Sequence, residues 1–466
     1  NVANDPDITT DVTLEDITIQ SGAILDINST GSLTLTDDFT NSSGTVNLNS
    51  AADHFPAIKV AGDASGNITY YRYVNAVGTN EWDLIGSPVD GQSISGFAST
   101  NTSGTATLAT NGSGQYAIGV YDNSDDSWTN YTNSGSGWQA GNFDIGKGYA
   151  MASVSGGTGL LAFTGTIATT DQTQAIIDND AANSGSGRRW DLIANPFPSF
   201  INANDDADGS NNFLTVNTSK LDDNFEAVYG YDADGVGTEY TIYNHASPGS
   251  AVYIAPGQGF FVASDNTSSD TVSFTEAMQT TSGGDDFISG DIMNDSYEVL
   301  LTLYHGDEQI EETRLYFEEG LSLGLDPGYD AGAFDQNSAI MTRLVEDDEG
   351  HGLVINAMST DHMDDVVIPL VINQDAGQEF RVNLHTSTIG EVNIYLEDTE
   401  LSTLTLLNEE DFILTPTSNL SDVGRFYIHL TADTLSNEEV NTSLLNAYKE
   451  VDTNYITIEG LATQST

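Results

Sequence analysis

The stretch Trp82-Asp83-Leu84-Ile85-Gly86-Ser87-Pro88 returns later as Trp190-Asp191-Leu192-Ile193-Ala194-Asn195-Pro196. Two neighbouring blocks return in the same order. Ala117-Ile118-Gly119-Val120-Tyr121-Asp122 matches Ala227-Val228-Tyr229-Gly230-Tyr231-Asp232, and Gly146-Lys147-Gly148-Tyr149-Ala150-Met151 matches Gly257-Gln258-Gly259-Phe260-Phe261-Val262. Three blocks at a nearly constant offset of about 110 residues define a duplicated unit, longer than a solenoid repeat and close to a small domain or half-domain. In each block a short apolar run meets Pro or Gly, so a buried strand ends in an enforced turn. The Gly-x-Gly-aromatic block supplies a tight bend and then alternating apolar residues, which reads as another strand. The duplication therefore predicts a scaffold of packed strands; it does not by itself name an active site.

The flanks of the duplication have other patterns. From Val12 to about Val60 very short strands follow one another: Ile17-Thr18-Ile19, Leu25-Asp26-Ile27, Leu33-Thr34-Leu35, Val46-Asn47-Leu48 and Ile58-Lys59-Val60. With Ser21-Gly22 and Thr30-Gly31-Ser32 between them, they read as rungs of a β-solenoid, each stacking its inward Ile or Leu on the next, with a plain meander as the competing reading. After Ser282-Gly283-Gly284-Asp285-Asp286, which reads as a linker, Tyr297 to Tyr304 and Glu311 to Phe317 form a hairpin pattern. Later strand patterns at Leu353 to Ala357, Val366 to Ile372, Phe380 to Leu384, Val392 to Leu396 and Arg425 to Leu430 fit a sandwich of the immunoglobulin type. The expected fold is all-β: a short solenoid-like stretch over 1–66, a duplicated sandwich or jelly-roll region over 67–284 with repeats 67–172 and 173–284, an immunoglobulin-like sandwich over 285–435, and one more strand in 436–466. Helical periodicity is nearly absent.

Composition narrows the partners. Asp+Glu number 70 against Lys+Arg 11, a formal charge of −59. Phosphate binding needs clustered Lys and Arg, so nucleic acid is excluded as an expected partner. Acidity of this degree follows from a saline habitat first, or from calcium binding or a need for solubility. With 20 Tyr, 18 Phe and 45 Gly the chain has the aromatic mass to fold. Cysteine is absent, so disulfides and thiolate metal sites contribute nothing. No stretch approaches the roughly 18 consecutive apolar residues of a membrane helix, and no membrane insertion is expected.

The order of short rungs, WDLIGSPV, WDLIANPFPSFI, APGQGFFV, then SYEVLLTLYHG, ETRLYFEEG and LDPGYDAGAF resembles the C-terminal half of large proteins that Bacteroidetes export by the type IX secretion system. Val367-Ile368-Pro369-Leu370, Glu391 to Asp398 and Gly424 to Ile428 are similar to the β-sandwich before the sorting domain of that family, and Asn446 to Leu461 looks like that domain's opening strand, cut off at Thr466. The resemblance implies an extracellular or cell-surface location and an outer-membrane translocon as transient partner. It is weakly specific for function, because such regions follow adhesins, enzymes and structural proteins alike.

Candidate sites are few. Asn204, Asp206 and Asp208 before Gly209 have the alternating oxygen spacing of half a calcium loop, but Thr215 stands where the bidentate Glu would be. Asp232 and Asp234 before Gly235 are a similar fragment, and Asp-Gly after a strand is also ordinary hairpin chemistry. Ca2+ is thus the one cofactor to expect, with turn formation as the plainer reading. Trp82 and Trp190 occupy equivalent repeat positions and are expected in the core. Trp128 and Trp138 flank a loop and are the candidates for a sugar-binding platform. The seven His lack ligand spacing, and no G-x-S-x-G elbow or phosphate loop is present. Asp270-Thr271-Val272 and Asp433-Thr434-Leu435 resemble short O-glycosylation acceptors of Bacteroidetes, against strand-edge Thr as the plain reading. The expected function is a non-enzymatic structural or adhesive protein of the cell surface, or a filament subunit, contacting copies of itself or other surface proteins. The alternative is a carbohydrate-binding accessory region of a polysaccharide-degrading enzyme, with a β-fold hydrolase third.

Overall fold

The computed structural model describes residues 6–78, 82–103, 107–133, 141–180, 187–231, 240–246, 251–285, 297–421, 423–432, 435, 446–449 and 456–459. Nearly all its regular structure is strand, as the sequence predicts. No helix among the described residues is long and apolar enough to cross a membrane.

The N-terminal strands coil into a three-sided parallel β-solenoid. Strands successive in sequence lie on different sides, and each pairs with the strand one coil on: Asp11–Leu14 with Ser32–Leu35 and then Ala57–Val60, Ile17–Gln20 with Phe39–Ser42, Ile24–Asn28 with Thr45–Asn49. A residue therefore stacks not on the next strand but on the third one after it. Asn47 Nδ2 donates to Asp26 Oδ1, 21 residues back, at 2.8 Å. The inward Leu25, Ile27, Leu33, Leu35, Leu48 and Ile58 are all buried, and each such side chain is worth roughly 1.5–3 kcal/mol relative to exposure. One side of the solenoid continues into the duplicated region, because Thr45–Asn49 pairs with Ile68–Tyr73 and that strand with Leu160–Gly165.

Each repeat builds the same four-stranded sheet in the same order. In the first, the strands are Asp83–Ile85, Tyr149–Met151, Gln115–Asp122 and Ser127–Thr132; in the second, Trp190–Ala194, Gly259–Ala263, Val228–Tyr231 and Tyr240–Tyr243. Each also carries a short helix that the pattern of apolar residues did not announce, Ile94–Asn101 and Phe213–Asn217. Side-chain caps start them: Ser93 accepts from Gly96 N and Asn212 from Thr215 N. Buried asparagines end them in identical fashion. Asn101 Nδ2 donates to Phe97 O and Ala162 O while its Oδ1 accepts from Ala162 N. Asn217 does the same with Phe213 O, Ser273 O and Ser273 N. The helices bury Phe97 and Phe213 against the inner faces of the sheets.

The two sheets meet about an approximate two-fold axis. Gly86 N donates to Gly257 O, and the equivalent Ala194 N donates to Gly146 O, both at 2.8 Å. Ile85 bridges Gln258 as Ile193 bridges Lys147. The glycines of the Gly-x-Gly blocks are required by this crossing. A Cβ on Gly148 would lie 2.8 Å from Ile193 O, and one on Gly259 would lie 2.7 Å from the Leu84 carbonyl carbon.

The C-terminal region forms one eleven-stranded sheet, running from Thr403–Leu406 at one edge to Phe412–Leu414 at the other. The inward residues of both halves share one core: Val299, Leu301, Leu303, Leu315 and Val382 from one, Ile368, Leu370, Ile394, Leu396 and Ile428 from the other. This is the sandwich. Its outer face, with Tyr316, Ile355 and Ala357, packs on the outer face of the second repeat. The Ser282-Gly283-Gly284 stretch, read as a linker, lies against the solenoid: Phe55 N donates to Gly284 O. Strands Asn446–Lys449 and Ile456–Glu459 pair antiparallel.

Candidate binding site: an aromatic cleft on the first repeat

Pairing registers fix which outer-face residues correspond. Leu84 opposes Ala150 as Leu192 opposes Phe261. Gly119 opposes Ala150 as Tyr229 opposes Phe261. Trp128 opposes Tyr121 as Tyr240 opposes Tyr231, and Asn130 opposes Gly119 as Ile242 opposes Tyr229. The two outer faces are therefore versions of one surface, with different side chains and different fates.

The second repeat's surface is covered. Phe334, from the C-terminal region, is stacked between two rings: its centroid is 4.4 Å from Trp190 and 3.9 Å from Tyr240, each at 17°. Below it lies Phe261 at 5.3 Å. Tyr229 donates its hydroxyl to Gly332 O at 2.9 Å, and Gly332 approaches so closely that a Cβ there would collide with the Phe225 ring. Trp190 is consequently 1% exposed.

Among the described residues, none covers the first repeat's surface in this way. Trp82, Leu84, Gly119, Trp128, Asn130 and Ala150 line one side of a cleft of about 460 Å³. Tyr231, Tyr240 and Phe261 of the second repeat close the other side. The volume lies within the range of small-molecule sites, roughly 300–1,000 Å³. Trp128 is 45% exposed. Its ring lies over Gly119, where a Cβ would stand 3.3 Å from it. Trp128 rests beside Tyr121, centroid to centroid 5.1 Å, and Tyr121 donates its hydroxyl to Asp126 Oδ1 at 2.8 Å. Burial, with Asp126 adding to it, pushes the Tyr121 phenol well up, so it stays a neutral donor.

The repeated Asp of the WDLI block works behind the cleft. Asp83 accepts from Asn75 N and Nδ2 at 2.6 and 2.8 Å. Asp191 accepts from Ile177 N at 2.9 Å and from Asn123 Nδ2 at 3.1 Å, and burial pushes it up to about 8. Both carboxylates fasten the segment that precedes their strand, which accounts for an acidic residue inside an otherwise apolar run.

Of the residues singled out from the sequence, Trp128 is at the cleft and Trp138 lies outside the described residues. Trp82, expected in the core with Trp190, packs half-buried against the core and also lines the cleft, because among the described residues none does on the first repeat what Phe334 does on the second. Tyr231, Tyr240 and Asn130 were missed; only the strand register reveals that they converge. Asn204 is buried, and its Oδ1 accepts from Val252 N and Ala207 N at 3.0 and 3.3 Å. Asp208 Oδ1 accepts from Ser210 N and Asn211 N at 3.0 and 2.9 Å, bonds that hold its carboxyl below the usual range. Asp206 sits on an exposed turn between them. These oxygens serve the backbone turn rather than a common centre. Among the described residues no group of three or more His, Asp or Glu stands as a metal site. Asp232 and Asp234 lie outside the described residues. Thr271 is exposed on its strand, and Asp433 and Thr434 lie outside the described residues.

No curated protein and no solved structure matches the chain. The family model that does match runs over residues 1–430, through solenoid, both repeats and sandwich, and the chain belongs to that family, described as a domain of unknown function, DUF8693.

Proposed function

We propose that the chain is a non-enzymatic adhesive protein of the bacterial cell surface, exported by the type IX route, and that it attaches through the aromatic cleft of the first repeat to a carbohydrate. The observation that carries this reading is Trp128, 45% exposed over a concave site that Trp82, Tyr231 and Tyr240 complete. A large aromatic left in water forgoes its burial energy, and several of them converging on one cleft with Asn130 offer flat apolar faces ringed by polar tips. The resemblance to exported surface proteins supports the location. The accessory region of a polysaccharide-degrading enzyme would use the same cleft.

Affinity electrophoresis through gels containing soluble polysaccharides tests this. The native chain is expected to be retarded by at least one polysaccharide, and Trp128→Ala to lose that retardation at an unchanged melting temperature. Free migration of the native chain in all of them contradicts the reading.

A second reading, assembly of copies side by side, has one observation of its own. Ile413 is 59% exposed on the edge strand Phe412–Leu414, and exposed edges template pairing between chains. The charge of −59 opposes such packing unless salt screens it. Sedimentation in high salt should then show oligomers that Ile413→Lys abolishes; a native monomer at every salt concentration removes this reading.

A further inference from the structure

The second repeat shows what the outer surface of this sheet accepts: a flat six-membered ring, held face to face between Trp190 and Tyr240. The equivalent pair on the first repeat is Trp82 and Trp128. Two differences separate the slots. The floor residue Phe261 becomes Ala150, so the first slot is deeper there, while Tyr229 becomes Gly119, which the Trp128 ring covers. The wall residue Ile242 becomes Asn130, whose amide donates to Tyr116 O at 3.0 Å and whose side-chain oxygen is an acceptor that isoleucine lacks, so that wall of the first slot is more polar. A slot enlarged and made more polar no longer suits the phenyl ring it holds elsewhere. It suits a ring of the same outline that carries hydroxyls on its rim.

Resting on the carbohydrate reading of the cleft, we propose that its ligand is an uncharged β-linked polysaccharide of all-equatorial pyranoses, of glucan or xylan type, one ring of which lies between Trp82 and Trp128 over Ala150. The chemistry selects this class. A pyranose between two aromatic faces must present C–H bonds on both sides, which requires its hydroxyls to be equatorial, since the negative ring faces attract polarised C–H and repel oxygen. An axial hydroxyl would point an oxygen at one indole. Among the described residues no Lys or Arg lines the cleft, and the acidic chain repels uronates and sulfates. Ala150 is the specificity-determining residue, because it leaves the space that Phe261 fills in the second repeat.

Retardation by mixed-linkage β-glucan, xylan, mannan and polygalacturonate, measured for the native chain, Ala150→Phe and Trp82→Ala, tests the proposal. Ala150→Phe copies the second repeat, where Phe261 is accommodated at the same position, so its melting temperature should hold. Expected are binding of glucan or xylan, at least fivefold weaker binding of mannan with its axial hydroxyl, none of polygalacturonate, and at least tenfold loss in both variants. Glucan or xylan binding that survives Ala150→Phe within twofold, or polygalacturonate bound as well as glucan, overturns the proposal while leaving a carbohydrate site in place. No retardation of the native chain by any of the four overturns the carbohydrate reading and the proposal with it. Competition by a peptide rich in Phe and Trp, in place of any polysaccharide, would assign the slot to a protein ring and overturn it too.

Discussion

Gly86 and Ala194, equivalent residues of the two repeats, face each other across the approximate two-fold axis, and a Cβ on Gly86 would collide with the Cβ of Ala194. A symmetric pair of alanines has no room at this axis. The sequence therefore breaks its own repeat here, with WDLIG in one copy and WDLIA in the other. Gly86→Ala should destabilise the chain by about 1–3 kcal/mol, as overpacking of a dense interior does. Adding Ala194→Gly should recover part of the loss, since Lys147 O also stands 2.8 Å from the new Cβ. Urea unfolding of single and double variants should give a coupling of at least about 0.5 kcal/mol. Strict additivity would contradict the contact.

Asn101 and Asn217 pin each helix end to a later strand of its repeat, Leu160–Gly165 and Asp270–Phe274. Asn101→Ala leaves Ala162 N and O without the partner that the side chain supplied, which should cost about 2–3 kcal/mol. Asn217→Ala should cost a similar amount through Ser273. Amide hydrogen exchange at Ala162 or Ser273 should rise in the matching variant only.

Phe334 ties the C-terminal sandwich to the second repeat. Phe334→Ala removes two stacked contacts and part of the shared core, an expected loss of about 3–5 kcal/mol. Tryptophan fluorescence should report it directly, because Trp190 would gain solvent. An unchanged spectrum and unfolding midpoint would show that the stacking is not maintained in solution.

Burial pushes Asp330 up to about 7 from its usual 3.8. The folded chain then holds this proton more tightly than the unfolded chain does. The stability it contributes is fully present below the unfolded value and is lost as pH rises through about 7, with a slope of about 1.4 kcal/mol per pH unit for one proton. Asp191, pushed up to about 8, adds in the same direction. Asp330→Asn should flatten unfolding free energy against pH between 4 and 7 relative to the native chain. Parallel profiles would mean that Asp330 stays ionised throughout.

An uncharged ligand also predicts little dependence on salt. Binding by the cleft should change less than about twofold between 0.05 and 1 M salt, beyond which ionic attractions are screened to a few ångströms. Affinity falling tenfold over that range would signify a charged ligand.

The all-β fold was legible because period-2 runs and glycine turns are local signals. WDLI and Gly-x-Gly located both sheets, since duplication repeats even the residues that serve contacts between copies. The solenoid's short strands were legible as rungs, yet not its three-strand coil, because stacking at 21 residues joins strands that are not neighbours in sequence. The helices were hidden: Ile94–Asn101 and Phe213–Asn217 are too short for a helical period to emerge, and they depend on Ser93, Asn212 and the buried Asn101 and Asn217. That Trp82 also lines the cleft was hidden for a different reason. The fate of Trp190, unlike that of Trp82, is set by a partner more than a hundred residues away, Phe334, which among the described residues covers only the second repeat's face.

The cleft's occupant can be seen directly. Crystals of the chain soaked with a β-linked glucose tetrasaccharide should show one sugar ring between Trp82 and Trp128, parallel to both indoles and resting on Ala150. Saccharide bound at another surface, or an empty cleft at concentrations where the protein binds the polysaccharide in solution, would contradict the account.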